Sequence, residues 1–218
     1  GNATMGSGVD KSAIRYTTGD VLLNAEEPAT VIVNPEHALY DLMPSNADLT
    51  AAEVQLINAL RREYRLLDAL APLREKYDFI LIDCPPSLNM LTVNALVAST
   101  GILIPIQCEY YALEGLSALM ETISQIQRWA NPNLTIEGIL RTMHDPRNNL
   151  ANDVSNQLLE HFQDRVYTSI IPRNVRLAEA PSHGKPIVQY DRNSRGALAY
   201  LSLANEITRR KVHDTKNS

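Results

Sequence analysis

The string Asp83–Ser87 (DCPPS) follows the apolar run Phe79–Ile82 and contains the clearest candidate for chemistry in the chain. An aspartate at the carboxyl end of a buried strand is costly unless it meets a cation or hydrogen-bond donors. Four apolar residues followed by aspartate form the Walker B pattern, in which the carboxylate holds Mg²⁺ against nucleotide phosphates. The two prolines favour a rigid loop. Asp83 is therefore the candidate catalytic and metal-binding residue, although many α/β proteins also end a strand in a capping aspartate.

Two further strings follow predicted strands. Gln107–Gly115 places a carboxylate beside two aromatic residues, and helix capping with packing is an alternative explanation for it. Ile171–Ala180 contains Pro172 and Asn174, and the asparagine amide offers both a donor and an acceptor, which suits the edge of a purine base. A turn with a helix cap is the alternative for this second string.

Cysteine and histidine do not form a recognisable metal-binding pattern. Cys84 and Cys108 are the only cysteines, and two thiolates cannot complete a four-thiolate site within one chain. His144 has no second histidine or cysteine at metal-ligand spacing. We interpret both cysteines as small buried hydrophobic residues and His144 as a loop residue.

The elements that must position these residues alternate between strand and helix. Such alternation predicts an α/β fold with a mostly parallel sheet and helices on both faces. Ligands of such folds bind beyond the carboxyl ends of the strands. The predicted strands cover 38–43, 79–82, 101–107, 134–142 and 166–171, and the predicted helices cover 19–23, 51–60, 62–73, 89–98, 113–129, 149–162 and 194–211.

Length and composition favour one soluble domain, and two small domains are the alternative. The chain has 218 residues, of which 44% are hydrophobic, enough for a substantial core. No apolar run approaches the roughly 18 residues of a membrane span, and no secretory signal pattern is visible. With two cysteines there is no disulfide framework, so a reducing cytoplasm is expected. We predict a single domain over residues 1–212 and a polar tail over 213–218.

The formal charge is unevenly distributed along the chain. The net charge is −5, but ten basic and four acidic residues give +6 from Arg165 onward, which leaves −11 before it. Such asymmetry is a hint of an anionic partner for the basic part. A solvated basic face without a partner is the alternative.

Taken together, the strings resemble the ParA/Soj chromosome- and plasmid-partition ATPases, a family of P-loop NTPases with a deviant Walker A lysine. The strings that carry the resemblance, which extends over nearly the whole chain, are YDFILIDCPPS at 77–87, QCEYYALEG at 107–115, IPRNVRLAEAPSHGKP at 171–186, the opening GNAT and Pro44-Ser45-Asn46. The resemblance implies a protein that binds ATP and Mg²⁺, forms a homodimer around nucleotide and coats DNA without sequence preference. It also implies stimulation by a ParB-type partner and a cytoplasmic, nucleoid-associated location without membrane attachment.

The resemblance assigns roles to individual residues. Asp83 matches the Walker B aspartate, and Pro172 and Asn174 match the family's adenine-pocket positions. For the DNA contact we expect a subset of Arg165, Lys185, Arg192 and Arg195, within the basic part of the chain.

The glycine-rich phosphate loop of the family has no counterpart in the sequence. No GxxxxGK[ST] string occurs in residues 1–218, and this loop normally supplies the backbone N–H cradle and the lysine for phosphate. We therefore expect ATPase activity in the full-length protein. We expect none in this chain alone, because it lacks the family's first strand, phosphate loop and first helix. Two alternatives are a nucleotide-free binding module with the same fold and a MinD-like positioning ATPase.

Overall fold

The computed structural model describes residues 2–85 and 87–214 and divides the chain into two compact units. The first unit comprises Gly1–Thr100, Gln125–Leu134 and Pro181–Pro186, and the second comprises Gly101–Ser124, Thr135–Ala180 and Ile187–Ser218. Gly1, Pro86 of the predicted rigid loop and residues 215–218 of the predicted tail lie outside the described residues. The single domain over 1–212 stays a prediction.

The first unit is mainly helical over its described residues. Its buried apolar cluster joins Leu22, Leu56, Leu66, Leu70 and Ala95. The helices are α1 (Asn2–Gly6), α2 (Thr18–Leu22), α3 (Pro28–Val31), α4 (Leu49–Leu56), α5 (Arg65–Leu70) and α6 (Met90–Ala98), with 3₁₀ turns at Arg62–Tyr64 and Ala71–Leu73.

The second unit contains a three-stranded parallel sheet in the order β1-β2-β3. The strands are β1 (Gly101–Gln107), β2 (Thr135–His144) and β3 (Val166–Pro172). The remaining helices of the chain are α7 (Ala112–Trp129), α8 (Asn149–Phe162), α9 (Val175–Glu179), α10 (Ile187–Tyr190) and α11 (Arg195–Asp214), with 3₁₀ turns at Gln163–Arg165 and Ala180–His183. A buried cluster of Leu140, Tyr167, Ile171 and Leu203 joins the sheet to α11. The predicted α/β class is confirmed. Helix α11 extends to Asp214, three residues beyond the predicted helix end at Lys211.

Side-chain caps explain several helix boundaries. The Asn89 side chain accepts the N–H of Thr92 at 3.0 Å and starts α6, as a side-chain oxygen at an N-cap satisfies a free backbone donor. Asn131 closes the same helix, because its Nδ2 donates to the carbonyl oxygens of Leu96 at 2.9 Å and Ser99 at 2.7 Å. None of the helices in the described part of the chain is both long and apolar enough to cross a membrane.

The prediction of a buried strand at 79–82 is wrong for this structure. The segment forms no strand. Phe79, Ile80 and Leu81 are exposed, with Leu81 at 91%, while Ile82 is partly buried against the core of the first unit. A strand needs a neighbouring strand for its backbone N–H and C=O groups, and the described sheet of β1, β2 and β3 does not include this segment. The apolar composition was therefore insufficient to predict sheet pairing.

Two other sequence predictions also need correction. The predicted strand at 38–43 forms only a single antiparallel bridge, between Val33 and Leu42. The predicted helix at 51–60 ends at Leu56, and Val54, Ile57 and Leu60, which recur at helical spacing, are exposed. Leu56 is buried instead, because α4 presents a different face to the core of the first unit.

Two glycines cross closely within the first unit. Gly8 has φ +79° and Gly184 has φ +61°, and a Cβ added to Gly184 would lie 2.6 Å from the Cα of Gly8. Both the left-handed backbone and the close approach therefore require glycine. This crossing holds the turn that immediately precedes Lys185.

Replacing Gly184 by alanine is expected to lower the free energy of unfolding by about 2 kcal/mol, because it adds backbone strain and a steric overlap. Urea unfolding of both proteins measures the change. The matched control is Gly115→Ala in α7, where no atom lies within 4 Å of the added Cβ. The free energy of unfolding of that control is expected to rise by about 0.5–1 kcal/mol. Equal free energies of unfolding for the two variants would contradict the claim that the contact with Gly8 requires glycine at position 184.

Candidate functional site

Asp83 lies in the first unit, directly after the exposed segment 79–82. Its carboxylate is exposed and forms no hydrogen bond or ion pair with any described residue. A free carboxylate fits Mg²⁺, which prefers hard oxygen ligands and keeps several waters. Asp83 is thus available to a cation rather than engaged as a helix cap.

The surroundings of Asp83 do not form a complete metal site by themselves. No group of three histidine, cysteine, aspartate or glutamate side chains that could hold a metal occurs within residues 2–85 and 87–214. Desolvation, and then the neighbouring Asp83 carboxylate, raise the pKa of the Cys84 thiol, which disfavours the thiolate as a ligand. A cation at Asp83 would need its other ligands from phosphate and water.

Pro172 and Asn174 lie in the second unit, at the exit of β3. Pro172 pairs with His144 at the end of β2, and the N–H of Arg173 donates to the carbonyl oxygen of His144 at 3.1 Å. His144 thus ends a strand and is not the loop residue that we predicted. Asn174 starts α9, since its Oδ1 accepts the N–H of Leu177 at 3.3 Å. The helix-cap alternative therefore describes this oxygen, while the amide Nδ2 donates no hydrogen bond to a described residue.

The exit of β2 carries a tight ion pair between Asp145 and Arg147. The two side chains form a two-pronged contact, at 3.0 Å from Nε and 2.8 Å from Nη2. Hydrogen bonds from Arg147 hold the pKa of the Asp145 carboxyl well below its usual range, and the charge of Arg173 adds to this. Asp145 is thereby ionised at any physiological pH.

The exit of β1 exposes two aromatic residues. Tyr110 and Tyr111 are 73% and 72% exposed, and their rings meet edge to face with centroids 5.0 Å apart. Core packing, which we kept as an alternative for this string, does not describe these two side chains.

The arginines of the basic part fall into two groups. Arg176 is ion-paired with Glu179 at 2.9 Å and Asp191 at 3.5 Å. By contrast, Arg165 before β3, Arg192 and Arg195 at the start of α11 are exposed and have no hydrogen-bond or ion-pair partner among the described residues. Those three guanidinium groups are available to an external anion.

Lys185 lies in the first unit, in the turn after Gly184, and is half-buried. Its ammonium also forms no hydrogen bond or ion pair with a described residue. Lys185 belongs to the first unit, and the three available arginines belong to the second.

Two charged residues of the second unit have buried or bridging contacts that the sequence does not predict. Arg141 in β2 is buried, donates to Ser155 at 2.9 Å and to the carbonyl oxygen of Tyr167 at 3.0 Å, and burial lowers its pKa. Glu206 of α11 binds two backbone N–H groups of β3. Neither contact follows from sequence spacing, since the partners lie on different elements.

The chain is similar to several known proteins. A family model described as an AAA domain matches residues 1–136. The sporulation initiation inhibitor protein Soj of Bacillus subtilis is 48% identical over 207 residues, which are 95% of this chain and 82% of that protein. The chromosome partitioning protein ParA of Myxococcus xanthus is 49% identical over 211 residues, which are 96% of this chain and 74% of that protein.

A solved structure extends the similarity to a nucleotide complex. Cobyrinic acid a,c-diamide synthase from Mycobacterium smegmatis, with bound ADP and magnesium, is 34% identical and superposes with a TM-score of 0.77. The similarity covers 90% of this chain and 73% of that chain. This likeness supports the assignment of the α/β fold to the P-loop type.

Proposed function

Because the chain belongs to the ParA/Soj family of partition ATPases, we propose that it serves ATP-dependent partitioning of DNA, with Asp83 as the residue that faces Mg²⁺ and the nucleotide phosphates. The observation that carries this proposal is the free, exposed carboxylate of Asp83 at the Walker B position. A bound Mg²⁺ would neutralise phosphate charge during phosphoryl transfer. The role of Asp83 is to hold that ion and its water shell in place.

We propose that Pro172 and Asn174 border the adenine of ATP. The Asn174 Oδ1 is used by the α9 cap, so the Nδ2 group is the part of the side chain that donates to the base. Pro172 ends β3 and fixes the backbone just before that amide. The ADP–magnesium complex of the Mycobacterium smegmatis relative supports nucleotide binding by this fold.

We propose that an ATP-bound homodimer binds DNA without reading its bases and that DNA is also what the protein moves. The exposed, unpartnered Arg165, Arg192 and Arg195 are suited to phosphate contacts, because guanidinium groups bind phosphate oxygens well. Lys185 is a fourth candidate. The proposed protein partner is a ParB-type protein that stimulates hydrolysis, and the proposed location is the nucleoid in the cytoplasm.

Partitioning is favoured over the two alternatives. The relatives that match most of the chain at 48% and 49% identity carry the names Soj and ParA, which favours partitioning over a MinD-like positioning ATPase. The free carboxylate of Asp83 favours nucleotide chemistry over a nucleotide-free binding module.

A protein consisting of residues 1–218 alone is expected to bind Mg–ATP no more tightly than about 1 mM. The reason is that no GxxxxGK[ST] string occurs in these residues, so the phosphates lack their backbone cradle and lysine. Calorimetric titration tests this, after a thermal melt has shown that the protein is folded. A micromolar dissociation constant would show that these residues provide a phosphate site of their own.

A further inference from the structure

Strand β2 contains an extra residue near its carboxyl end. Between the pairs Arg141–Ile170 and His144–Pro172, three residue steps on β2 span two residue steps on β3. Residues 142–143 of β2 therefore lie opposite a single residue of β3 and form a β-bulge. Bulges are rare in parallel pairs, and they are enriched beside active sites, where they change the direction of a side chain.

Met143 has the unusual backbone conformation within this bulge. Its φ is +52°, in the left-handed region that residues with a Cβ adopt only at a cost. Its side chain is 48% exposed, so burial of the side chain does not account for the conformation. The preceding Thr142 donates its hydroxyl to the carbonyl oxygen of Ile106 in β1 at 3.2 Å. Strained conformations of this kind persist where the surrounding contacts fix them, and they cluster at binding sites.

The bulge determines which residue of β2 meets the end of β3. Pro172 has no N–H to donate to the sheet, and the N–H of Arg173 donates instead to the carbonyl oxygen of His144 at 3.1 Å. In a regular register, counted from the pair of Arg141, Pro172 would lie opposite Met143 rather than His144. The bulge therefore brings this carbonyl oxygen to Arg173.

Asn174 follows directly and is held from two sides. Its backbone is extended, with φ −147° and ψ 126°, and the residue before it is fixed by the Arg173–His144 hydrogen bond. On the other side, its Oδ1 accepts the N–H of Leu177 at the start of α9. These two contacts together determine where the Nδ2 group of Asn174 points.

We propose that the bulge at Met143 positions Asn174 for recognition of a purine base, so that Met143 is a positioning residue. The inference rests on the proposed function, in which Nδ2 of Asn174 donates to the adenine of ATP. The left-handed backbone of Met143 carries the effect, not its side chain. The bulge serves the base alone, because the phosphates are bound by the glycine-rich loop of the family.

The test is Met143→Val in a form of the protein that carries the phosphate loop. Calorimetry measures the dissociation constants of ATP and of tripolyphosphate, which has no base. Valine is β-branched and resists a positive φ, so the bulge is lost or moves. The dissociation constant of ATP is expected to rise about tenfold, as for one lost hydrogen bond. That of tripolyphosphate is expected to stay within about twofold of the wild type.

Two further variants separate the backbone from the side chain and from general strain. Met143→Gly removes the side chain but adopts a positive φ freely, so its dissociation constant for ATP is expected to stay within about twofold of the wild type. Gln163→Val is the matched control, because Gln163 also has a positive φ, of +42°, in the second unit. Gln163 lies before β3, at the other end of the strand from Asn174. The control is expected to unfold at lower urea concentration and to bind ATP like the wild type.

Three results would overturn the proposal in a protein whose wild type binds ATP. The first is a Met143→Val variant that binds ATP as tightly as the wild type. The second is a Met143→Val variant that loses ATP and tripolyphosphate alike. The third is a Met143→Gly variant that binds ATP as weakly as Met143→Val, which would assign the effect to the side chain. A wild type that binds tripolyphosphate as tightly as ATP would contradict base recognition itself, and with it the proposed adenine contact.

Discussion

Replacing Asp83 by asparagine is expected to lower the rate of ATP hydrolysis by about 100-fold, in a form of the protein that carries the phosphate loop. The substitution keeps the size and shape of the side chain and removes the charge that faces Mg²⁺. Because the Asp83 carboxylate is exposed and has no described partner, stability is expected to change by less than about 0.5 kcal/mol. Steady-state turnover and urea unfolding of the same preparation measure both quantities.

The matched control for this prediction is Asp78→Asn. Asp78 is also exposed and lies five residues before Asp83. The substitution makes the same chemical change away from the proposed metal position, so turnover is expected to remain within about twofold of the wild type. Retained turnover in Asp83→Asn, with a lowered stability, would instead assign Asp83 to a capping role.

Removing an exposed base that contacts DNA phosphate is expected to reduce the salt dependence of binding. Neutralised phosphates release counterions, so each lost contact lowers the slope of log affinity against log salt by about 0.9. The variants are Arg165→Ala, Arg192→Ala, Arg195→Ala and Lys185→Ala, each made in a form of the protein that carries the phosphate loop and measured by duplex binding over a salt series with ATP present. Little change between DNA sequences is expected, because such contacts carry no base information.

Two control variants test whether the change in slope is specific to the proposed DNA contacts. Lys76→Ala removes an exposed base of the first unit that precedes the basic part of the chain, and its slope should equal that of the wild type. Arg176→Ala removes a base that is ion-paired with Glu179 and Asp191, so a smaller change in slope is expected. Unchanged slopes for all four test variants would place the DNA surface elsewhere.

Local signals predicted the elements of the second unit well. The strand at 101–107 and the helix at 149–162 were predicted with the bounds that the structure has. Apolar runs and helix caps are contained within a few residues, and they determine these elements. The segment at 79–82 has an equally apolar sequence but forms no strand, because strand pairing depends on a neighbouring strand that no local signal describes.

The candidate site could be predicted only in part for the same reason. The count of charged residues identified the basic end of the chain. It could not distinguish Arg165, which has no described partner, from Arg210, which is bound by Glu206 and by backbone carbonyl oxygens. Likewise, the position of Asn174 was predicted, but the use of its oxygen as the α9 cap depends on backbone geometry.

We propose that nucleotide binding switches this protein onto DNA through phosphate contacts. The most direct test is the affinity of the phosphate-loop-containing protein for duplex DNA across a salt series, with and without Mg–ATP. The account predicts at least about tenfold tighter binding with Mg–ATP, with a steep negative slope of log affinity against log salt. Equal affinities in the two conditions, or a slope near zero with Mg–ATP, would contradict it.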